Sequence, residues 1–141
     1  MLHGPSRPDA APILILHLDP FTRRMLKSIY EIEGYIVHET DKRETALGLL
    51  QAAEGGMIVY LEVACLRMRD NEQLHDYLMN REEYAPHVFV LFTGSMFTKQ
   101  DMKRLRADRY LEQPFTADQA LASVKEAQRL WLAKHTSPST Q

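Results

Sequence analysis

Four polar residues directly follow short apolar segments of the sequence, and their side chains are of kinds that bind ligands. His17 follows ILIL, Glu62 follows IVYL, Thr93 follows VFVLF and Gln113 follows RYLE. An imidazole together with carboxylates suits zinc or iron, but no second histidine lies at ligand spacing from His17. Glu62 is therefore open to four readings: a reactive group, a metal ligand, a fixed negative charge or an ordinary acid at a strand end.

The apolar segments alternate with helical patterns, and this alternation must position the four residues. Five strands are predicted, in the segments ILILHLD (13–19), YIVHET (35–40), MIVYLEV (57–63), VFVLFTG (88–94) and RYLEQPF (109–115). Strands that alternate with helices form a parallel sheet covered on both faces. Ligands of such sheets bind at the carboxyl ends of the strands, where the strand order reverses. We therefore expect the four polar residues to lie at one edge of the sheet.

The first predicted helix has clear start and stop signals. Asp19 can cap it and Pro20 suits its first position, while Gly34 supplies the stop. One apolar stripe is formed by Phe21, Met25, Ile29 and Ile32.

Four more helices are predicted. Asp41 and Glu44 make a capping-box-like start to the second helix, and Thr116 with Gln119 opens the last one, which runs to about residue 133. Between them, the segments 71–84 and about 98–106 have helical patterns, the second of them short.

Composition limits the classes of protein that fit. The 141 residues suit one domain, with flexible ends expected at 1–11 and 136–141 and a folded unit at 12–135. A formal charge of −2 argues against general affinity for nucleic acid or membranes. Cys65 is the single cysteine, which excludes an internal disulfide and fits a reducing compartment, so a cytoplasmic protein is expected.

Four segments, in order and at the right spacing, resemble the receiver domain of two-component response regulators over nearly all of residues 12–134. They are ILILHLDPFTRRML, MIVYLEVACLRM, VFVLFTG and RYLEQPF. The resemblance implies a flavodoxin-like (βα)5 fold, a doubly wound five-stranded parallel sheet in the order 2-1-3-4-5. The stretch between Thr93 and Tyr110 is slightly short, so the fourth helix is expected to be reduced.

The resemblance also assigns positions to the site of the family. Its magnesium-binding acidic pair falls on His17 and Leu18, its phosphoacceptor on Glu62, its hydroxyl on Thr93, its switch aromatic on Tyr110, and its lysine and following proline on Gln113 and Pro114. Only the hydroxyl, the aromatic and the proline match the family pattern. Asp19 lies one place past the acidic pair and is expected to cap the helix instead.

These departures remove the chemistry while the scaffold pattern remains. Leu18 has no ligand atom, His17 is a poor ligand for Mg²⁺, and Gln113 has no charge to offer a phosphoryl group. The resemblance therefore implies a pseudo-receiver of a response regulator or hybrid signalling protein that is not an enzyme, needs no cofactor and has lost Mg²⁺ binding. Glu62 would then either hold one activated-like conformation or be a tolerated acid.

A basic run suggests where such a domain binds a partner. The run consists of Lys103, Arg104, Arg106 and Arg109, next to Tyr110, with Lys99 just before it. The family uses the face of its fourth helix, fifth strand and fifth helix for dimers and partners, so a protein partner or a homodimer is expected there. The alternative is an ordinary solvated face.

Two other functions stay open. One is a phospho-accepting regulator with unusual site chemistry, and the other is a metal or small-molecule sensor that uses His17, Glu62 and Thr93.

Overall fold

The computed structural model describes residues 10–62, 86–94 and 107–136. These residues form eight elements, namely β1 (Ile13–Leu16), α1 (Pro20–Ile32), β2 (Val37–Thr40), α2 (Arg43–Ala52), β3 (Ile58–Glu62), β4 (Val88–Thr93), β5 (Arg109–Glu112) and α3 (Ala117–Thr136). The helices predicted at 71–84 and 98–106 lie outside the described residues. So do Cys65, Lys103, Arg104 and Arg106.

The five strands form one parallel sheet in the order β2-β1-β3-β4-β5, which confirms the predicted fold. Some strands are shorter than the segments that predicted them: β2 begins at Val37 and β5 ends at Glu112. Within the sheet, β2 lies next to β1 on one side, and β3 lies next to β1 on the other side. The strand order therefore reverses at β1 and β3, and the residues that follow these two strands face each other.

Two hydrophobic layers cover the sheet. Side chains of alternate strand residues, such as Ile15, Tyr60 and Phe92, pack with α1 and α3 on one face. The intervening residues, such as Leu16 and Leu61, pack with α2 on the other face. By this alternation, His17 and Glu62 belong to the α1 and α3 side of the sheet.

Helix α1 begins as predicted but buries a different face from the one predicted. The Asp19 carboxylate accepts hydrogen bonds from the backbone N–H groups of Phe21 and Thr22, and Pro20 is the first helical residue. The buried side chains, however, are Leu26 and Tyr30. Tyr30 donates its hydroxyl to the Ala120 carbonyl oxygen of α3, 3.2 Å away.

The apolar stripe predicted for the core is instead largely exposed: Phe21 is 72% exposed and Ile32 is 79% exposed. Met25 and Ile29 are partly buried. The physical reason is that α1 carries apolar residues on two sides, and the sheet has room for only one of them. Leu26 and Tyr30 lie on the side that packs into the layer shared with α3.

The start of α2 also differs from the prediction. Lys42 is the N-cap residue and makes no side-chain capping hydrogen bond, so the expected capping box of Asp41 and Glu44 is wrong. The Thr40 hydroxyl accepts from the Lys42 N–H at 3.0 Å and turns the chain into the helix. Asp41 therefore lies one residue too early to cap.

The capping box of α3 is confirmed. The Thr116 hydroxyl accepts from the Gln119 N–H at 3.1 Å, and the Gln119 side-chain oxygen accepts from the Thr116 N–H at 2.8 Å. Among the helices of residues 10–62 and 107–136, none is long and apolar enough to cross a bilayer.

Candidate functional site

The imidazole of His17 forms the centre of the site. His17 follows β1 directly and is only 4% exposed. Its Nδ1 atom lies 3.0 Å from the backbone nitrogen of Asp19, whose N–H can only donate. Nδ1 must therefore be the accepting nitrogen of the neutral ring, and the ring proton lies on Nε2.

The Nε2–H group is hydrogen-bonded to Gln113 and lies close to the carboxylate of Glu62. Nε2 lies 2.9 Å from Oε1 of Gln113 and 3.3 Å from Oε2 of Glu62. The second carboxylate oxygen of Glu62 accepts the backbone N–H of Leu18 at 2.9 Å. Groups at the carboxyl ends of β1, β3 and β5 are therefore joined in one network, which we call the His17 network: His17, the Leu18 amide, Glu62 and Gln113.

Asp19 is adjacent to this network but its carboxylate points to α1. Besides the two capping bonds, it accepts the Thr22 hydroxyl at 2.7 Å. That hydroxyl bond, together with the backbone N–H groups of Phe21 and Thr22, holds the pKa of the Asp19 carboxyl below its usual value. Asp19 thus has the structural role that the sequence predicted for it.

Two residues that sequence reasoning missed support the His17 network. Arg23 donates Nη1 to the carbonyl oxygens of His17 and Leu18, at 2.7 and 3.2 Å, and its Nε forms an ion pair with Glu39 on β2. Phe92 contacts the His17 ring edge-on, with ring centroids 4.8 Å apart. Arg23 acts on backbone atoms, which no side-chain motif reveals. The position of Phe92, one residue before Thr93, was the available signal.

Thr93 lies at the same sheet edge, Tyr110 lies near the start of β5, and neither side chain belongs to the hydrogen bonds of the network. The Thr93 carbonyl accepts the Gln113 N–H at 2.7 Å, and the described contacts of Glu62 include no bond from the Thr93 hydroxyl. Tyr110 is exposed, on the α2 side of the edge strand β5. The peptide bond between Gln113 and Pro114 is cis.

The donor set of this edge does not fit a magnesium ion. Mg²⁺ takes oxygen ligands in octahedral geometry, whereas position 18 presents a hydrocarbon and position 17 presents an N–H group. Among the residues that the structure describes, Glu62 is the one whose carboxylate contacts the network. Within the described ranges, no three side chains of His, Cys, Asp or Glu are placed to share a metal ion.

The comparisons with known proteins define the class of fold. No protein-family model matches the chain, and neither does any curated protein. Solved structures do match, and they are response regulator receiver domains. The signal receiver domain of a protein described as a Luxo repressor, from Vibrio parahaemolyticus, has a TM-score of 0.72 at 15% identity, and the match covers 92% of this chain and 98% of that one.

Two further structures agree with it. A CheY-like receiver domain protein from Methanospirillum hungatei has a TM-score of 0.68 at 16% identity, with 89% and 97% of the two chains covered. NtrX from Brucella abortus has a TM-score of 0.74 at 21% identity, over 91% of this chain but only 29% of NtrX. The chain thus has the receiver-domain fold of response regulators. At these identities the likeness shows the fold alone.

Proposed function

We propose that this chain is a pseudo-receiver: a receiver-fold signalling domain that has lost phosphotransfer and acts through contacts with other proteins. The observation that carries the proposal is the His17 network. Where the family binds Mg²⁺ and a phosphoryl group, this chain places an imidazole that is hydrogen-bonded to an amide and lies close to a carboxylate. The domain would then need no cofactor and perform no catalytic step.

Both oxygens of Glu62 are already engaged, one by a hydrogen bond and the other by a close contact, which argues against Glu62 as a phosphoacceptor. Oε1 accepts the Leu18 N–H and Oε2 faces the His17 ring. Phosphorylation would have to disturb one of these contacts, and Gln113 brings no positive charge to compensate for the added negative charge. These contacts instead favour a structural role for Glu62, as an acceptor that fixes the loop after β1.

The metal-sensor alternative meets a similar obstacle. A metal ion on Nε2 of His17 would displace the ring proton to Nδ1, where the Asp19 N–H already donates. Two donors would then face each other, unless the loop after β1 moved. We therefore do not adopt metal sensing as the function.

The first test is phosphorylation in the presence of Mg²⁺. We expect that incubation with acetyl phosphate leaves the intact mass unchanged, and that beryllofluoride leaves the amide resonances of residues 17–19 unchanged. Glu62→Gln is the matched variant, because glutamine keeps the shape but cannot form an acyl phosphate. A gain of one phosphoryl group that disappears in Glu62→Gln would contradict the proposal directly.

The partner surface belongs to the same proposal. Tyr110 is 43% exposed on β5, and Arg109 beside it is paired with Glu126 of α3 at 2.6 Å. This exposed aromatic, flanked by a basic residue held by the last helix, supports the predicted contact face. Arg104 and Arg106, the other basic residues tested below, lie outside the described residues.

Charge reversal tests the surface. The double variant Arg104→Glu with Arg106→Glu should weaken the capture of a protein partner, because opposite charge at an interface rim steers association. Lys42→Glu, an exposed reversal next to the opposite edge strand β2, is the control. If both variants capture the same proteins as the original chain in equal amounts, this face is not the interface.

A further inference from the structure

Helix α1 and its flanks carry most of the large hydrophobic side chains that are exposed among the described residues. Five large hydrophobic side chains are exposed among the described residues, and four of these five lie on α1 or within four residues of it. The four are Leu18, Phe21, Ile32 and Ile36. Scattered single apolar residues need no explanation, but a cluster on one helix marks a surface that binds something.

Three exposed residues of α1 and the partly buried Met25 are in register along one side of the helix. Phe21, Met25, Ser28 and Ile32 have the spacing i, i+4, i+7 and i+11, which places them in one row about 16 Å long. We call this row the α1 stripe. The buried residues Leu26 and Tyr30 lie roughly 140° around the helix from the α1 stripe, so the stripe points away from the sheet.

The charges beside the α1 stripe have an order that complements itself. Arg24 and Glu31 are both exposed and lie seven residues apart, which is two turns, so they occupy the same flank of the stripe. When two copies of α1 pack antiparallel about a twofold axis, equal flanks face each other. We place the twofold axis midway between Phe21 and Ile32. Glu31 then lies about 3 Å from Arg24 of the second copy, measured along the helix axis.

The apolar residues pair in the same arrangement. Phe21 at one end of the stripe meets Ile32 of the second copy at the other end, and Ser28 faces Met25 near the centre. The small side chain of Ser28 leaves room for Met25. In a parallel pair the Arg24 and Glu31 flank would instead face the flank of Ile29, so the two ion pairs would be lost.

We propose that a second copy of this chain binds the α1 stripe, giving an antiparallel α1–α1 homodimer. The α1 stripe supplies both halves of the interface, because it is complementary to itself in charge and in side-chain size. Two 13-residue helices bury less than the roughly 1,200 Å² of a stable interface, so the dimer is weak, with a Kd on the order of 100 μM. This proposal does not depend on the state of the His17 network.

The test is sedimentation equilibrium of the full chain from about 10 μM to about 1 mM, which brackets a Kd of that order. Arg24→Glu places Glu against Glu31 of the second copy, and Glu31→Arg places Arg against Arg24. Each reversal should weaken the dimer about tenfold, since each changes two ion pairs from attractive to repulsive. Glu54→Arg, an exposed reversal just after α2, is the matched control and should leave the Kd unchanged.

Mixing the two single variants separates this dimer from any other. A pair made of one Arg24→Glu chain and one Glu31→Arg chain has opposite charges at both contacts, so the mixture should dimerise as the original chain does. Arg24, Glu31 and the control residue Glu54 are all exposed. Equal melting temperatures of the variants would show that folding is intact. A chain that is monomeric up to about 1 mM, or a mixture no stronger than the single variants, overturns the proposal.

Discussion

His87 gives the most quantitative prediction, because it is a fully buried histidine that accepts a backbone hydrogen bond. Its Nδ1 accepts the Met57 N–H at 3.0 Å, and its side chain has no exposed surface. Burial, with smaller contributions from the charges of Lys134 and His135, lowers the pKa of His87 to about 4. In the unfolded chain its pKa is about 6.5.

The sign of the pH dependence follows from these two values. Between pH 6.5 and 4 the unfolded chain binds a proton at residue 87 that the folded chain does not bind, so acid favours unfolding. The contribution of His87 to stability is complete above pH 6.5 and is lost as the pH falls toward 4. At about 1.4 kcal/mol per pKa unit, the full loss is about 3 kcal/mol, of which about 2 kcal/mol occurs between pH 7 and pH 5.

Urea unfolding at pH 7, 6 and 5 measures this loss. His87→Asn keeps an oxygen near Nδ1 that can accept the Met57 N–H, and it does not titrate. We expect its free energy of unfolding to fall by about 2 kcal/mol less than that of the original chain between pH 7 and pH 5. His38→Asn, at an exposed histidine of β2, is the control. Equal slopes for the original chain and His87→Asn would refute the reasoning.

Three further substitutions test a tight turn, the start of a helix and a buried hydroxyl contact. Gly56 has φ +83°, and a Cβ there would lie 1.9 Å from the backbone oxygen of Pro86. Gly56→Ala should therefore lower the free energy of unfolding by about 3 kcal/mol or more. Gly48→Ala in α2, where a Cβ meets nothing, is the control and should change the free energy of unfolding by under about 1 kcal/mol. Thr116→Ala removes the cap of α3 and should cost about 1 kcal/mol, measured by thermal unfolding; an unchanged Tm would contradict the capping box. The Tyr60 hydroxyl lies 2.8 Å from that of Ser123, and burial raises the pKa of Tyr60 to about 12. Tyr60→Phe should lower the free energy of unfolding by about 1 kcal/mol and remove one late-titrating phenol from the alkaline absorbance curve. An unchanged curve would contradict the raised pKa of Tyr60.

The sequence was sufficient to predict the sheet, because short apolar segments bounded by polar residues are a strong indication of strands. Apolar side chains on both faces of β1, β3 and β4 are characteristic of strands covered on both sides, and the alternation with helices then sets the parallel topology. The same reasoning did not decide the face of α1. Its two apolar sides have equal periodicity, and only the packing against α3 shows that Tyr30 is buried and Ile32 is not.

The site was predictable as a set of positions and less so as a set of bonds. The order of the strands brings His17, Glu62 and Gln113 to one edge, as the resemblance implied. The tautomer of His17 depends on a backbone N–H two residues later, and the Arg23 contacts depend on carbonyl oxygens. Interactions with the backbone carry no residue-type signal, which is why sequence reasoning missed them.

The bonds of the His17 network also bear on how slowly backbone hydrogens exchange with solvent. Residues 18 and 19 belong to the turn between β1 and α1, where amides usually exchange quickly because few partners protect them. Here the Leu18 amide donates to Glu62 and the Asp19 amide donates to the buried ring of His17. A turn that looks exposed in sequence should therefore keep its deuterium label about as long as a strand does. A substitution of Glu62 should speed the exchange of the Leu18 amide and leave that of the Asp19 amide less affected. In the original chain, the order in which the two amides exchange reports which of the two contacts opens first.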